Sequence, residues 1–236
     1  MKSILLLLCA VLMALFPPIM AAFCFLPQPR FVCGEYFASQ LVVEATLAKT
    51  QTILEGSDPD DILAHVYSLR VEKVFRGKNT DQIRVYEGND SGRAPFSWLN
   101  GTSYLLFLFY SPQDGAWALD GCGNSAPLEK AGRSLEEIHA IQIAHDGGKI
   151  LGNVSRQGTS IPLAGVKVTA HGNKGTFQGK TDAKGAFQLE VPDGTYSVDA
   201  VSPGLSFEKY DISYDDPGKV RIEPGGCAQI QFVQKE

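Results

Sequence analysis

The chain has 236 residues, of which 44% are hydrophobic and 20% are charged, and its formal net charge is −5. It is too long for one small module and too apolar for a disordered chain, and a dedicated nucleic-acid binder would show a basic face instead. The 24 glycines and 13 prolines are scattered along the chain. This composition favours a turn-rich, strand-rich globular protein.

The first residues have the pattern of a signal peptide. Lys2 precedes an apolar run from Ile4 to Phe16, and the small residues Ala21 and Ala22 follow. The run is shorter than the roughly 20 residues that a membrane-spanning helix needs. We expect cleavage after Ala21 or Ala22, with residues 1–22 as the signal peptide. The mature protein is then secreted, periplasmic or held at the cell surface, with no membrane span.

Four cysteines remain after removal of the signal peptide, at positions Cys24, Cys33, Cys122 and Cys227. An even number of cysteines in an exported chain indicates disulfides. A structural zinc site would need clustered pairs such as C-x-x-C, and the spacing here shows none. We therefore expect two disulfides, and the spacing leaves all three connectivities open.

Residues 23–146 show the pattern of five strands and a helix. Apolar residues alternate with polar ones around Leu69 and around Ile83, which is the period of a half-buried strand. Ser134 and Glu137 have the spacing of a capping box, which predicts that a helix begins there. The predicted strands lie at 41–47, 64–75, 83–85, 104–110 and 117–122. Five strands closed by a helix are typical of a small, partly open barrel.

Residues 147–236 have a different texture, with short strands separated by turn signals. Asp182 and Gly185 bracket one turn, and Pro192-Asp193-Gly194 forms another. Strands at intervals of roughly 8–12 residues without a helical pattern predict a β-sandwich. The fold class is therefore mainly β, with an OB-like five-stranded barrel and its C-terminal helix followed by a β-sandwich.

The residues that usually carry catalysis do not form a recognisable motif. The histidines are dispersed, at His65, His139, His145 and His171. The acidic stretch 58–61 lacks the ligand spacing of an EF-hand, so we interpret it as a solvated turn rather than a calcium site. We expect no enzyme activity, no catalytic residues, no metal and no cofactor.

Aromatic residues suggest one carbohydrate site. Trp117 alternates with Leu119 and is expected inside the barrel, whereas Trp98 lies beside turn residues such as Gly101. Trp98 is therefore the better candidate for an exposed ring that stacks on a glycan.

Residues from about 24 to 143 resemble the netrin-type module of the tissue inhibitors of metalloproteinases and their bacterial relatives. The resemblance rests on the early cysteines and on four segments, at 39–45, 74–77, 101–106 and 122–125. It implies an OB-like barrel with the N-terminal segment fastened to it. It also implies a disulfide between Cys24 and Cys122, which leaves Cys33 to pair with Cys227.

The same resemblance suggests inhibition of an extracellular zinc protease. In that family the amine and carbonyl of the first mature cysteine bind the catalytic zinc, and Ala22 stands at the corresponding place here. Ala22, Phe23 and Cys24 would then form the protease-contacting N-terminus. No disulfide would fix Ala22, and ordering a loose terminus opposes binding.

Residues from about 148 to 201 resemble the carboxypeptidase regulatory-like, transthyretin-like domain. The matching segments are 148–154, 162–168, 181–187 and 191–196. In such families the module is usually an accessory or cell-surface domain, and some relatives bind carbohydrate. We therefore expect an exported, non-enzymatic protein-interaction or cell-surface binding protein, with an unknown protein or glycan as partner. The alternatives are a metalloendopeptidase inhibitor and a carbohydrate-binding accessory protein.

Overall fold

The computed structural model describes Cys24 and residues 27–89, 96–143, 146–157, 161–211 and 219–235. The predicted signal peptide, Ala22 and Phe23 lie outside the described residues. Two helices and three sheets form the described part. The helices are α1, Val32–Ala38, and α2, Gly132–Ile143, and a single 3₁₀ turn at Leu128–Lys130 precedes α2.

The first unit consists of six strands and α2. The strands are β1 (Leu41–Leu54), β2 (Ile62–Arg76), β3 (Gln82–Gly88), β4 (Ser103–Ser111), β5 (Ala116–Leu119) and β6 (Ala126–Pro127). Their order is β1-β2-β3-β5-β4-β6, and β4 also pairs with β1. The pairings therefore return to the first strand, although β3 and β5 share only the pair Val85–Trp117. The OB-like barrel stays an interpretation of this circuit.

The alternation seen in the sequence explains which residues fill the first unit. Leu47, Leu69, Ile83 and Leu106 lie in one buried cluster inside the circuit of strands. The continuous apolar run of β4 is buried from Tyr104 to Leu108, since its other face packs against the two helices. β1 and β2 extend beyond the predicted strands as a longer hairpin whose outer part is exposed.

The second unit consists of two four-stranded sheets. Its strands are β7 (Gly148–Arg156), β8 (Lys167–Gly172), β9 (Gly175–Lys180), β10 (Ala186–Val191), β11 (Gly194–Val201), β12 (Phe207–Asp211), β13 (Lys219–Ile222) and β14 (Gly226–Gln234). One sheet has the order β10-β7-β14-β12 and the other β13-β11-β8-β9. Alternate residues of both sheets, such as Val168, Leu189 and Tyr196, form a shared core. This arrangement is a β-sandwich, and the predicted mainly β class is confirmed.

The helices differ from the prediction in two ways. The short helix α1 was not predicted, because its first turn contains Cys33 and Gly34 rather than a capping pattern. The helix α2 was predicted, but it begins before Ser134, since the Leu135 N–H donates to the Ala131 carbonyl at 2.9 Å. Ser134 therefore lies inside the first turn and is not the capping residue. The predicted domain boundary at residues 146 and 147 stays a prediction.

Neither helix of the described residues is long and apolar enough to cross a membrane.

Candidate binding cleft

The N-terminal segment, defined as Cys24 and residues 27–38, is cross-linked to both units. Cys24 forms a disulfide with Cys122 of the first unit, and Cys33 forms one with Cys227 on β14 of the second. The Cα–Cα distances are 5.6 Å and 6.0 Å. This is the pairing that the netrin-type resemblance implies. The segment therefore links the two units covalently at positions nine residues apart in the sequence.

Two buried glutamines on β14 hold this segment against the second unit. Gln229 accepts the Phe31 N–H at 2.7 Å and donates to the Pro29 carbonyl at 2.6 Å. Gln231 accepts the Gln28 N–H at 2.9 Å. The contact is close, because a Cβ added to Gly34 would lie 2.7 Å from the Cβ of Gln229. The segment is therefore held to β14 by hydrogen bonds between its own backbone groups and the side chains of these glutamines.

The opposite side of the segment is held to the first unit by charged groups. Arg30 donates to the Asp120 carboxylate at 2.8 Å, and the Arg30 side chain is only 6% exposed. Glu35 is buried in α1 and accepts both the backbone N–H of Asn124 at 2.7 Å and its side-chain N–H at 2.6 Å. Asp120 accepts from Arg30 and Asn124 donates to Glu35, and these two loop residues flank Cys122, so the disulfide and the polar contacts fix the same loop.

Burial controls the titration of Glu35. Removal of the carboxylate from water raises its pKa to about 7, and the negative charge of Asp120 acts in the same direction. The hydrogen bonds from Asn124 and the charge of Arg30 oppose this change without cancelling it. The Glu35 carboxyl therefore changes charge near neutral pH, at the contact between the segment and the first unit.

Arg76, at the end of β2, joins the two units directly. Its guanidinium donates to the Glu223 carboxylate at 2.7 Å and 3.2 Å. It also donates to the carbonyls of Ser39 at 2.9 Å and Phe37 at 3.2 Å, which lie at the C-terminal end of α1. A cation is favourable there, because the last carbonyls of a helix lack partners within the helix. The hydrogen bonds from Arg76 hold the pKa of the Glu223 carboxyl below its ordinary value.

A cleft of about 370 Å³ opens beside this ion pair. Its walls come from the end of α1, from the end of β2 and from three strands of the second unit. Apolar positions alternate there with charged and amide groups, including Phe37, Gln40, Arg76, Asp211, Val220, Arg221, Glu223 and Ala228. Ligand sites occur preferentially at such junctions between structural units. The cleft combines positive and negative groups with apolar side chains such as Phe37, which suits a polar ligand that also carries an apolar group.

The structure brings only part of the predicted site residues to this cleft. Cys24 is exposed and disulfide-bonded, whereas Ala22 and Phe23 lie outside the described residues, so the protease-contacting N-terminus stays a prediction. The disulfide cysteine Cys227 lines the cleft, and its partner Cys33 lies in α1 beside it.

Trp98 is not the exposed residue that the sequence favoured. Its ring stacks on Tyr67 with centroids 4.4 Å apart, and Phe96 and Tyr104 pack against it at 4.7 Å and 5.0 Å. Its indole N–H is buried and has no hydrogen-bond partner among the described residues. The turn residues nearby suggested exposure, but the ring turns inward and joins the buried cluster of the first unit. The stacking role of Trp98 stays an untested prediction that this packing does not favour.

The acidic stretch and the histidines lie away from the cleft. Asp58 accepts the backbone N–H of Asp60 at 3.0 Å in the exposed turn between β1 and β2. His65 and His171 each lie within hydrogen-bond distance of a threonine hydroxyl. His139 lies near the Phe75 ring with centroids 6.1 Å apart, and His145 lies outside the described residues.

Sequence reasoning missed Arg76, Gln229 and Glu223 as functional residues. Arg76 belongs to a segment that carried the netrin-type resemblance, Val74-Phe75-Arg76-Gly77, so its position was noted but not its role. Gln229 and Glu223 had no signal in the sequence, since an isolated polar residue in a strand or turn is ordinary.

Comparison with known proteins identifies part of the chain. The family model of the carboxypeptidase regulatory-like domain matches residues 149–231. The second unit contains a carboxypeptidase regulatory-like domain. The match does not extend to the first unit, whose netrin-type resemblance stays a prediction. No curated protein matches the chain by sequence.

Several solved structures resemble the chain weakly. The major pilin subunit of Bacillus cereus is 11% identical with a TM-score of 0.31, and the match covers 86% of this chain and 62% of the pilin. The pilus adhesin SpaC from Lactobacillus rhamnosus GG is 12% identical with a TM-score of 0.26, over 85% of this chain and 29% of the adhesin. A C-terminal fragment of that adhesin is 11% identical with a TM-score of 0.27, over 89% of this chain and 94% of the fragment. Scores this low do not establish a common fold.

Proposed function

We propose that the protein is exported and binds another protein, without catalysing a reaction, through the cleft between its two units. Disulfides form and persist in oxidising compartments outside the cytosol, and the two disulfides support such a location. The predicted signal peptide at residues 1–22 supports it independently.

One observation carries this proposal: the walls of the cleft come from both units, and the same contacts that form it also fix the units together. Arg76 and Glu223 are at once the ion pair between the units and part of the lining. A binding site that is already ordered before the ligand arrives avoids the entropic cost of ordering it during association. A cleft held by an ion pair and two disulfides therefore suits recognition.

The size and chemistry of the cleft indicate a short segment of a partner protein. Pockets for small ligands usually measure about 300–1,000 Å³, and this cleft lies near the lower end of that range. It accommodates a few side chains rather than a folded surface. Arg221 is exposed at the cleft, and the half-buried side chains of Phe37 and Ala228 provide apolar contact. A loop or terminus with an acidic and an apolar side chain would match these groups.

The test uses a random-peptide library displayed on phage and panned on the oxidised protein. Peptides that bind are then measured against Arg221→Gln and against Arg84→Gln, an exposed arginine on β3 that does not line the cleft. Both variants lose one positive charge. The proposal predicts weaker binding to Arg221→Gln only. Equal binding to both variants, or no enriched peptide, would contradict it.

A further inference from the structure

The outer face of the sheet β13-β11-β8-β9 is polar and positively charged. Alternate residues of these strands point away from the sandwich core, as in any two-layered sheet. The outward residues lie opposite each other across the four strands, in rows that the backbone pairing defines. They are Lys219, Arg221, Thr195, Ser197, Asp199, Val201, Lys167, Thr169, His171, Thr176, Gln178 and Lys180.

Two lysines of this face are direct cross-strand neighbours. The register of β8 and β9 pairs Lys167 with Lys180, and both side chains are exposed. Like charges directly opposite each other in an antiparallel pair destabilise the sheet. Within the described part of the chain, neither ammonium takes part in a salt bridge. The pair therefore has a cost in the isolated protein that an anion between the two lysines would remove.

The charge of the whole face contrasts with that of the chain. The outward residues include four lysines and arginines and one carboxylate, Asp199, whereas the whole chain has a net charge of −5. Lys219 and Arg221 are on the edge strand β13, and Lys167 and Lys180 are at the other side of the sheet. The positive groups are thus spread across the sheet and not gathered into one pocket.

This spacing favours a long anion over a small one. Neighbouring strands lie about 4.8 Å apart, and successive outward residues of one strand lie about 6.8 Å apart. Four cations distributed on such a grid match a chain with repeated anionic groups. Between them lie hydroxyls and an amide, from Thr176, Ser197 and Gln178. These groups hydrogen-bond well to the hydroxyls of a sugar.

A protein partner fits this face less well. The central residues of protein interfaces are enriched in aromatic side chains and arginine and depleted in lysine. Val201 is the one large apolar residue among the outward positions, and it lies at the end of its strand. We propose that this face binds an acidic polysaccharide, with Lys167 and Lys180 as the paired contact for its anionic groups. Arg221 of this face also lines the cleft, whereas Lys167 and Lys180, on which the proposal rests, do not.

The test measures binding of the oxidised full chain to immobilised polygalacturonate, with neutral dextran and polyglutamate as comparison surfaces. The variant Lys167→Gln/Lys180→Gln is compared with Lys78→Gln/Lys130→Gln, which removes two exposed lysines of the first unit. Two exposed charge contacts, repeated along a polymer, predict about tenfold weaker binding for the first variant and no change for the second. The dependence of affinity on salt should also become less steep.

A second variant separates binding from folding. Lys180→Glu places opposite charges across the strands, so we expect an unchanged or higher melting temperature together with loss of binding. Binding of polygalacturonate that neither variant weakens would overturn the proposal. Polyglutamate binding as strong as polygalacturonate binding would also overturn it, and would indicate an acidic protein instead. Absence of polygalacturonate binding to the native chain at about 0.1 M salt would also overturn the proposal.

Discussion

The hydrogen bonds of Gln229 give the sharpest test of how the N-terminal segment is held. Gln229 is 1% exposed, and truncation to alanine removes one acceptor for the Phe31 N–H and one donor to the Pro29 carbonyl. Each hydrogen bond contributes about 1 kcal/mol net. Loss of the buried methylene and the resulting cavity adds about 1 kcal/mol. We therefore expect Gln229→Ala to lower the free energy of unfolding by about 3 kcal/mol.

Two further variants test whether the loss expected for Gln229→Ala comes from its hydrogen bonds. Gln231→Ala removes the acceptor for the Gln28 N–H, so its expected cost is smaller, about 1–2 kcal/mol. Gln229→Glu keeps the acceptor and the side-chain shape, but it places an oxygen against the Pro29 carbonyl oxygen. This variant should therefore lose stability even though no cavity forms.

Urea denaturation with the disulfides intact measures all three variants, and amide hydrogen exchange reports locally on Phe31. We expect the Phe31 amide to exchange faster in Gln229→Ala while the amides of the sheet cores stay protected. A loss below about 0.5 kcal/mol for Gln229→Ala, or a larger loss for Gln231→Ala, would refute the reasoning.

Three other predictions concern the junction between the units. We expect Arg76→Lys to lower the free energy of unfolding in urea more than Glu223→Gln does. A lysine cannot reproduce the planar fork of Arg76, which donates to the Glu223 carboxylate and to the carbonyls of Phe37 and Ser39. The reverse order of the two variants would contradict this role for Arg76. The pKa of Glu35 is about 7 in the folded chain, against an ordinary value of 4.5. Protonation of Glu35 therefore contributes about 3 kcal/mol to the free energy of unfolding below pH 4.5. This contribution is lost as the pH rises to 7. Denaturation between pH 4.5 and pH 8 should show this decline in the native chain and a flatter profile in Glu35→Gln, and parallel profiles would disprove the assignment. We expect Gly123→Ala to lower the free energy of unfolding by about 1–3 kcal/mol, because the added Cβ would overlap the Glu35 carboxylate. Glu35→Ala in the same chain should reduce that loss. Strictly additive losses in the double variant would show that the two residues do not interact.

The mainly β architecture was predictable because it rests on a local, repeated signal. The alternation around Leu69 and Ile83, and the continuous run of β4, each specify a strand without reference to the rest of the chain. The turn at Asp182 also follows from local chemistry, since its carboxylate accepts the N–H groups of Lys184 and Ala186 at 2.8 Å and 2.9 Å.

The cleft was not predictable in the same way, because its residues are far apart in the sequence. Arg76 and Glu223 are 147 positions apart, and Gln229 and Phe31 are 198 positions apart. Arg76 lies in a segment that carried the netrin-type resemblance, but no local pattern marks Glu223, Gln229 or Phe31. The packing of Trp98 was not predictable for a related reason, since the turn residues beside it are local but the Tyr67 ring that stacks on it comes from another strand.

The central claim is that the N-terminal segment fixes the two units as one rigid scaffold with a ready binding cleft between them. Nuclear magnetic relaxation of backbone ¹⁵N in the oxidised protein tests it most directly. The account predicts one rotational correlation time for the sheets of the first unit and those of the second. Two distinct correlation times, one for each unit, would contradict it.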